Sequence, residues 1–121
     1  MMGSSQIVKI LLRQKLFSIN SLDNNGFTPA HFAVATKSTK SLKLIMSCPD
    51  FQLNIKNNRG WTPVQLAAIE GFFSMIVMMS KHDQFSYYHD LPQGTRSPLS
   101  YALQYANMNI VKYLYNIGMR E

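Results

Sequence analysis

The chain has 121 residues and a mass of 13.8 kDa, the size of one ordinary domain, and its 46% hydrophobic content suffices for a core. No stretch approaches the roughly 18 consecutive apolar residues of a membrane helix, and the first thirty residues hold no long apolar run followed by a small-residue cleavage site, so neither a span nor a secretory leader is expected. The lone Cys48 excludes an internal disulfide framework and points to a reducing, intracellular and cytoplasmic setting, while 12 Lys and Arg against 6 Asp and Glu give +6, a charge that attracts acidic protein, nucleic acid or anionic lipid alike.

In chain order, the stretch SQIVKILLR has apolar residues three and four apart and predicts a helix near 4–14. The turn-forming DNNG follows, then Thr28-Pro29. A threonine hydroxyl can cap a helix by accepting a free backbone N–H, and proline at the first helical position loses nothing by lacking its own, so a helix is predicted near 28–36. TKSLKLIMS predicts the next helix near 39–47. The same grammar returns twice: NNRG, Thr62-Pro63 and FFSMIVMMS predict helices near 62–69 and 72–80, and LPQG, Ser97-Pro98 and NMNIVKYLYN predict helices near 97–105 and 109–117. Ala33, Ala67 and Ala102 fall inside the first helix of each pair, where a small side chain lets a second helix approach closely.

The recurrence has a fixed period. Gly26, Gly60 and Gly94 are 34 apart, as are Asn20, Asn54 and Tyr88, whereas Thr28, Thr62 and Ser97 step by 34 and then 35, so one extra residue lies between Gly94 and Ser97. Val8, Leu42, Ile76 and Val111 keep this beat, and so do Leu11, Ile45, Met79 and Leu114. Such a period marks stacked supersecondary units, none of which buries its apolar face alone.

Two motifs recur in phase: TPAHFA at 28–33, TPVQLA at 62–67 and SPLSYA at 97–102, and IVKILL at 7–12 with IVKYLY at 110–115. On these the sequence resembles the ankyrin-repeat family over almost its whole length, with Gln65 and Ser100 standing where the family motif has histidine. The period exceeds the family's usual length of about 33 by a residue, and the surplus lies in the loop after the second helix, in RQKLFSIN and SCPDFQLN. The resemblance implies an all-α solenoid of helix-turn-helix units joined by β-hairpin-like turns. It would form one domain over 1–121, with a half repeat at 4–22 and repeats near 23–56, 57–90 and 91–121. Because the first unit holds only a second helix, the chain is expected to be a piece of a longer protein.

The side chains that carry chemistry do not assemble an active site. His31 stands at the motif histidine and is expected to bond between neighbouring turns. His82-Asp83 and His89-Asp90 lack metal-ligand spacing, and Cys48 has no second cysteine or histidine beside it. Phosphate-cradling glycine motifs are missing and the six acids are scattered, so no catalytic residue, cofactor or metal is expected. Met75, Met78 and Met79 share one helix and read as packing. Lys9, Lys43 and Lys112 share a repeat position and, with Lys40, Arg13 and Lys15, read as a solvated outer face.

Function is implied by the resemblance: a non-catalytic protein-protein interaction module, monomeric, holding a partner protein along its concave side. The corresponding hairpin positions are Asn24, Asn25 and Phe27, then Asn58, Arg59 and Trp61, then Gln93, Thr95 and Arg96. Those on the first helices are Ala35 and Thr36, Ile69 and Glu70, and Gln104 and Tyr105. Asn25, Phe27, Arg59, Trp61, Glu70, Arg96, Gln104 and Tyr105 are the candidate partner-binding residues, aromatics and arginine being the types enriched at binding hot spots. Two alternatives stand beside it. One is an accessory domain of a multidomain enzyme, or of a secreted effector acting in a host cytosol; the other is binding of nucleic acid or anionic membrane through the basic outer face.

Overall fold

A computed structural model describes residues 19–87 and 96–119. Six helices run through them: α1 (Pro29–Ala35), α2 (Thr39–Met46), α3 (Pro63–Glu70), α4 (Phe73–Ser80), α5 (Pro98–Gln104) and α6 (Met108–Asn116). Each lies within about two residues of an expected helix, the usual uncertainty of a helix end. The expected helix near 4–14 lies outside the described residues, as do Lys9, Arg13, Lys15, Tyr88, His89, Asp90, Gln93, Gly94 and Thr95. Among the described residues there is no strand, and no helix is long and apolar enough to cross a membrane.

The starts of α1, α3 and α5 follow the Thr-Pro logic. Thr28, Thr62 and Ser97 have extended backbones, with ψ of 166°, 165° and 159°, and their hydroxyls accept the N–H of His31, Gln65 and Ser100. Proline opens each helix. The ends are equally regular, because the residue that turns the chain into the second helix has a positive φ in every unit: 58° at Lys37, 79° at Gly71 and 57° at Ala106. Behind it Ser38, Phe72 and Asn107 donate their N–H to the carbonyls of Ala33, Ala67 and Ala102 at 2.9–3.0 Å, satisfying acceptors that a helix C-terminus leaves open.

The helices form two layers. In the first, α1, α3 and α5 lie side by side, and Ala30, Ala33, Ala67, Ala68 and Ala102 are almost wholly buried, so the backbones come close. In the second, α2, α4 and α6 touch one another much less. Leu42 and Ile45, Ile76 and Met79, and Ile110 and Leu114 fill the space between the layers, each fully buried. Met75 is buried beside them and Met78 is half-buried against the same core, so these methionines pack as expected. The loops after the second helices each send a ring or a thioether inward, Phe51, Phe85 and Met119, again 34 apart.

Polar side chains stitch one unit to the next. The Nε2 of His31 lies 2.7 Å from the Trp61 carbonyl, and its Nδ1 lies 2.7 Å from the Thr28 hydroxyl. A carbonyl can only accept, so Nε2 carries the proton and the Thr28 hydroxyl donates to Nδ1. One period on, the Gln65 amide group bridges in the same way, with Nε2 donating to the Arg96 carbonyl at 2.6 Å and Oε1 accepting the Thr62 N–H at 2.8 Å. On the opposite edge Asn20 donates to the Asp50 carbonyl at 2.7 Å and accepts from Gln52 N–H at 2.9 Å. Asn54 donates to Gln84, which itself accepts from Leu53 and donates to Phe51. In the second layer the hydroxyls of Ser80 and Tyr113 lie 2.6 Å apart.

Burial holds the pKa of His31 below the ordinary imidazole range and outweighs the Trp61 carbonyl, which acts to raise it. As pH falls below the unfolded-state value of about 6.5, the unfolded chain gains a proton that the folded chain resists. Stability is therefore lost through that window and levels off once the folded-state pKa is passed. Chemical denaturation at pH 7.5 and pH 5 should show His31→Gln retaining stability at the higher pH with a shallower loss at the lower, and His31→Ala losing about 1–3 kcal/mol at pH 7.5 because the Trp61 carbonyl keeps one bond fewer. Ala106 is exposed and its left-handed backbone costs an L-residue about 1–2 kcal/mol, more than glycine's extra chain entropy, so Ala106→Gly should stabilise by about 0.5–1 kcal/mol and raise Tm.

Candidate functional site

The hairpin turns owe their shape to one side chain each. Asp23 Oδ1 accepts the N–H of Asn25 at 2.8 Å and of Phe27 at 2.9 Å, and Asn57 Oδ1 accepts the N–H of Arg59 and of Trp61, both at 3.0 Å. Two backbone bonds close each loop: Asp23 N–H to the Phe27 carbonyl at 2.7 Å with Gly26 N–H to the Asp23 carbonyl at 3.0 Å, and Asn57 N–H to the Trp61 carbonyl at 2.8 Å with Gly60 N–H to the Asn57 carbonyl at 2.9 Å. Side chain and backbone close these turns together, and no strand ladder forms among the described residues. Successive tips touch: Asn58 N–H donates to the Gly26 carbonyl at 3.0 Å, and a Cβ on Gly26, whose φ is 78°, would run into the Asn58 side chain.

Trp61 is held by three neighbours. Its carbonyl accepts from both Asn57 and His31, its half-buried ring packs on the core, and the ring stands edge-on to Tyr101 of the next unit with centroids 6.4 Å apart. Arg59 places its guanidinium carbon 5.8 Å from the Trp61 ring centre, and Arg96 places its own 4.7 Å from that of Tyr101. Arg96 Nη2 also donates to Ser100 Oγ at 3.3 Å. Arg59, Trp61, Tyr101 and Arg96 therefore form one unbroken row across two repeats, with both arginines exposed.

The other expected residues occupy separate places on the same elements. Phe27 leans on His31, ring centres 6.2 Å apart, one repeat away from the row. Asn25 is exposed at the first tip, Glu70 at the end of α3, and Gln104 and Tyr105 at the end of α5. Arg96 takes the position of Trp61 one unit on, since its carbonyl receives Gln65 as that of Trp61 receives His31. Sequence reasoning missed Tyr101 and the exposed Phe32. Both stand at the variable place between the motif histidine and alanine, and two aromatics there are the signal that was available.

Elsewhere the reactive side chains are engaged in structure. His82 stands edge-on to Phe51 at 5.3 Å and its Nδ1 accepts from Gln84 N–H at 3.1 Å. Burial first, and then the charge of Asp50, push the Cys48 thiol up from its ordinary pKa, which keeps it protonated. On the outer side, Lys43 and Lys112 are exposed, and Lys40, Lys43, Leu44 and Ser47 line an open groove of about 320 Å³.

Residues 11–67 match the family model for ankyrin repeats (many copies), a span that takes in the first Thr-Pro motif and ends on the last residue of the second. No curated protein matches the chain. The third motif lies past that span yet has the same cap, the same left-handed junction and the same pair of helices as the two within it. Its helices stacked in two layers by these repeated devices, the chain carries ankyrin repeats over residues 11–67.

Proposed function

We propose that the chain is a non-catalytic recognition module that holds a partner protein along its hairpin turns and first helices. Ankyrin repeats generally mediate protein-protein interaction and are typically scaffolds without catalysis. The observation that carries the reading is the Arg59, Trp61, Tyr101 and Arg96 row. It is a set of hot-spot residue types, partly solvent-accessible, on the hairpin turns and the last first helix. Asn25, Phe27, Glu70, Gln104 and Tyr105 extend the surface on either side. Three and a half repeats over 1–121 supply it, working in an intracellular setting and as a monomer.

The competing surface is the outer face, where exposed Lys40, Lys43 and Lys112 suit nucleic acid or an anionic membrane. Binding of an identified partner protein separates the two. Trp61→Ala and Phe27→Ala, with helicity checked by circular dichroism, should each weaken binding by on the order of 2 kcal/mol, about thirtyfold. Joint replacement of Lys9, Lys43 and Lys112 by glutamine should cost far less. The opposite pattern assigns recognition to the outer face.

A further inference from the structure

The two arginines of the row are oriented before any ligand arrives. A guanidinium resting on an aromatic ring loses little of its hydrogen-bonding capacity, because its five N–H donors lie in its own plane and its edges remain open. Arg96 is held from two sides, by the Tyr101 ring and by Ser100 Oγ, which occupies one donor. Arg59 lies over Trp61, whose own amide is fixed by Asn57. Holding these side chains in place beforehand reduces the ordering cost that a flexible arginine brings to binding.

The spacing and the local charge select what fits between them. Successive separations of 5.8, 6.4 and 4.7 Å from guanidinium to ring, ring to ring and ring to guanidinium set an upper limit of about 17 Å between the two charges. An extended peptide covers that distance in about five residues at roughly 3.4 Å each. Lys56 is exposed just before the Asn57 loop and adds to the positive potential. Glu70 lies away from the turn: it closes the eight-residue α3, about 10 Å along the axis from Pro63, beyond the ~8 Å screening length of physiological salt. Asp23 has an oxygen committed to two amides of the first hairpin.

Base stacking suits the row less well. Trp61 and Tyr101 meet at 75°, so they offer no parallel platform, and each ring already carries a guanidinium. We infer that the Arg59, Trp61, Tyr101 and Arg96 row binds an extended acidic segment of a partner protein, with two carboxylates up to about five residues apart paired to the two arginines and the intervening chain lying against the rings. This rests on the protein-recognition reading and adds the chemistry of the partner.

The protein contains a single tryptophan, Trp61, so its intrinsic emission reports on the row itself. The probes are a ten-residue peptide alternating glutamate and serine, its glutamine-serine counterpart, and a ten-nucleotide oligouridylate. Only the glutamate peptide should change the emission, and Arg59→Gln with Arg96→Gln should weaken it about tenfold or more with unchanged circular dichroism and melting. Lys40→Gln, Lys43→Gln and Lys112→Gln together remove more charge yet should weaken it by less than about threefold, which separates a defined pair from general attraction. The inference is overturned by equal or greater loss in the lysine variant, by oligouridylate binding more tightly than the glutamate peptide, or by no emission change up to about 1 mM peptide. If the glutamate peptide fails while Trp61→Ala still abolishes binding of an identified protein, the recognition surface stands and the acidic chemistry is withdrawn.

Discussion

Two successive units of this fold lean on a part-buried polar bond that a side chain throws across to the carbonyl just before the next helix cap. That carbonyl, left short of a donor in its partly buried place, would cost of the order of 1–3 kcal/mol. His31 supplies one bond and Gln65 the next, at 2.7 and 2.6 Å. The two side chains differ in shape and in acid-base behaviour, yet each presents an N–H on its far end and an acceptor on its near end, which is all the position requires. The first helices can then sit side by side on alanine, with the hairpin tips in register above them.

The sequence was most informative where one residue has one physical use. Thr28-Pro29, Thr62-Pro63 and Ser97-Pro98 can scarcely do anything but begin helices, and the fully buried Leu42 and Ile76 follow from a period of 34 or so residues, whereas Val111 on the same beat is only partly buried and its neighbour Ile110 fills the core. His31 was legible as architecture for the same reason. Less legible were bonds between residues that are neutral as isolated letters. Nothing in DNNG or NNRG says that Asp23 and Asn57 will each gather two amides, and nothing in SCPDFQLN announces that Gln52 and Leu53 are tied to Asn20 and Gln84.

The candidate site was only half readable. Phe27, Arg59, Trp61 and Arg96 could be picked out by residue type and by their place in the turn. Their grouping could not, because ring contacts depend on which way each side chain leans. Trp61 leans forward onto Tyr101, 40 residues later, while Phe27 leans within its own unit onto His31. Arg96 was obscured by the additional residue of its turn, and the Gln65 bond to its carbonyl identifies its place.

Trp61 joins three consecutive pieces of the molecule through different parts of itself. Its carbonyl is gripped by the unit before it, its amide by its own loop, and its ring by the unit after it. A molecule resting on that ring would clamp two adjoining units together, so occupancy would act like an added fastener along the stack. The energy of such a contact would be shared between holding the ligand and keeping the solenoid from fraying, and saturation would appear as resistance to unfolding in the neighbouring units as well as at the surface touched.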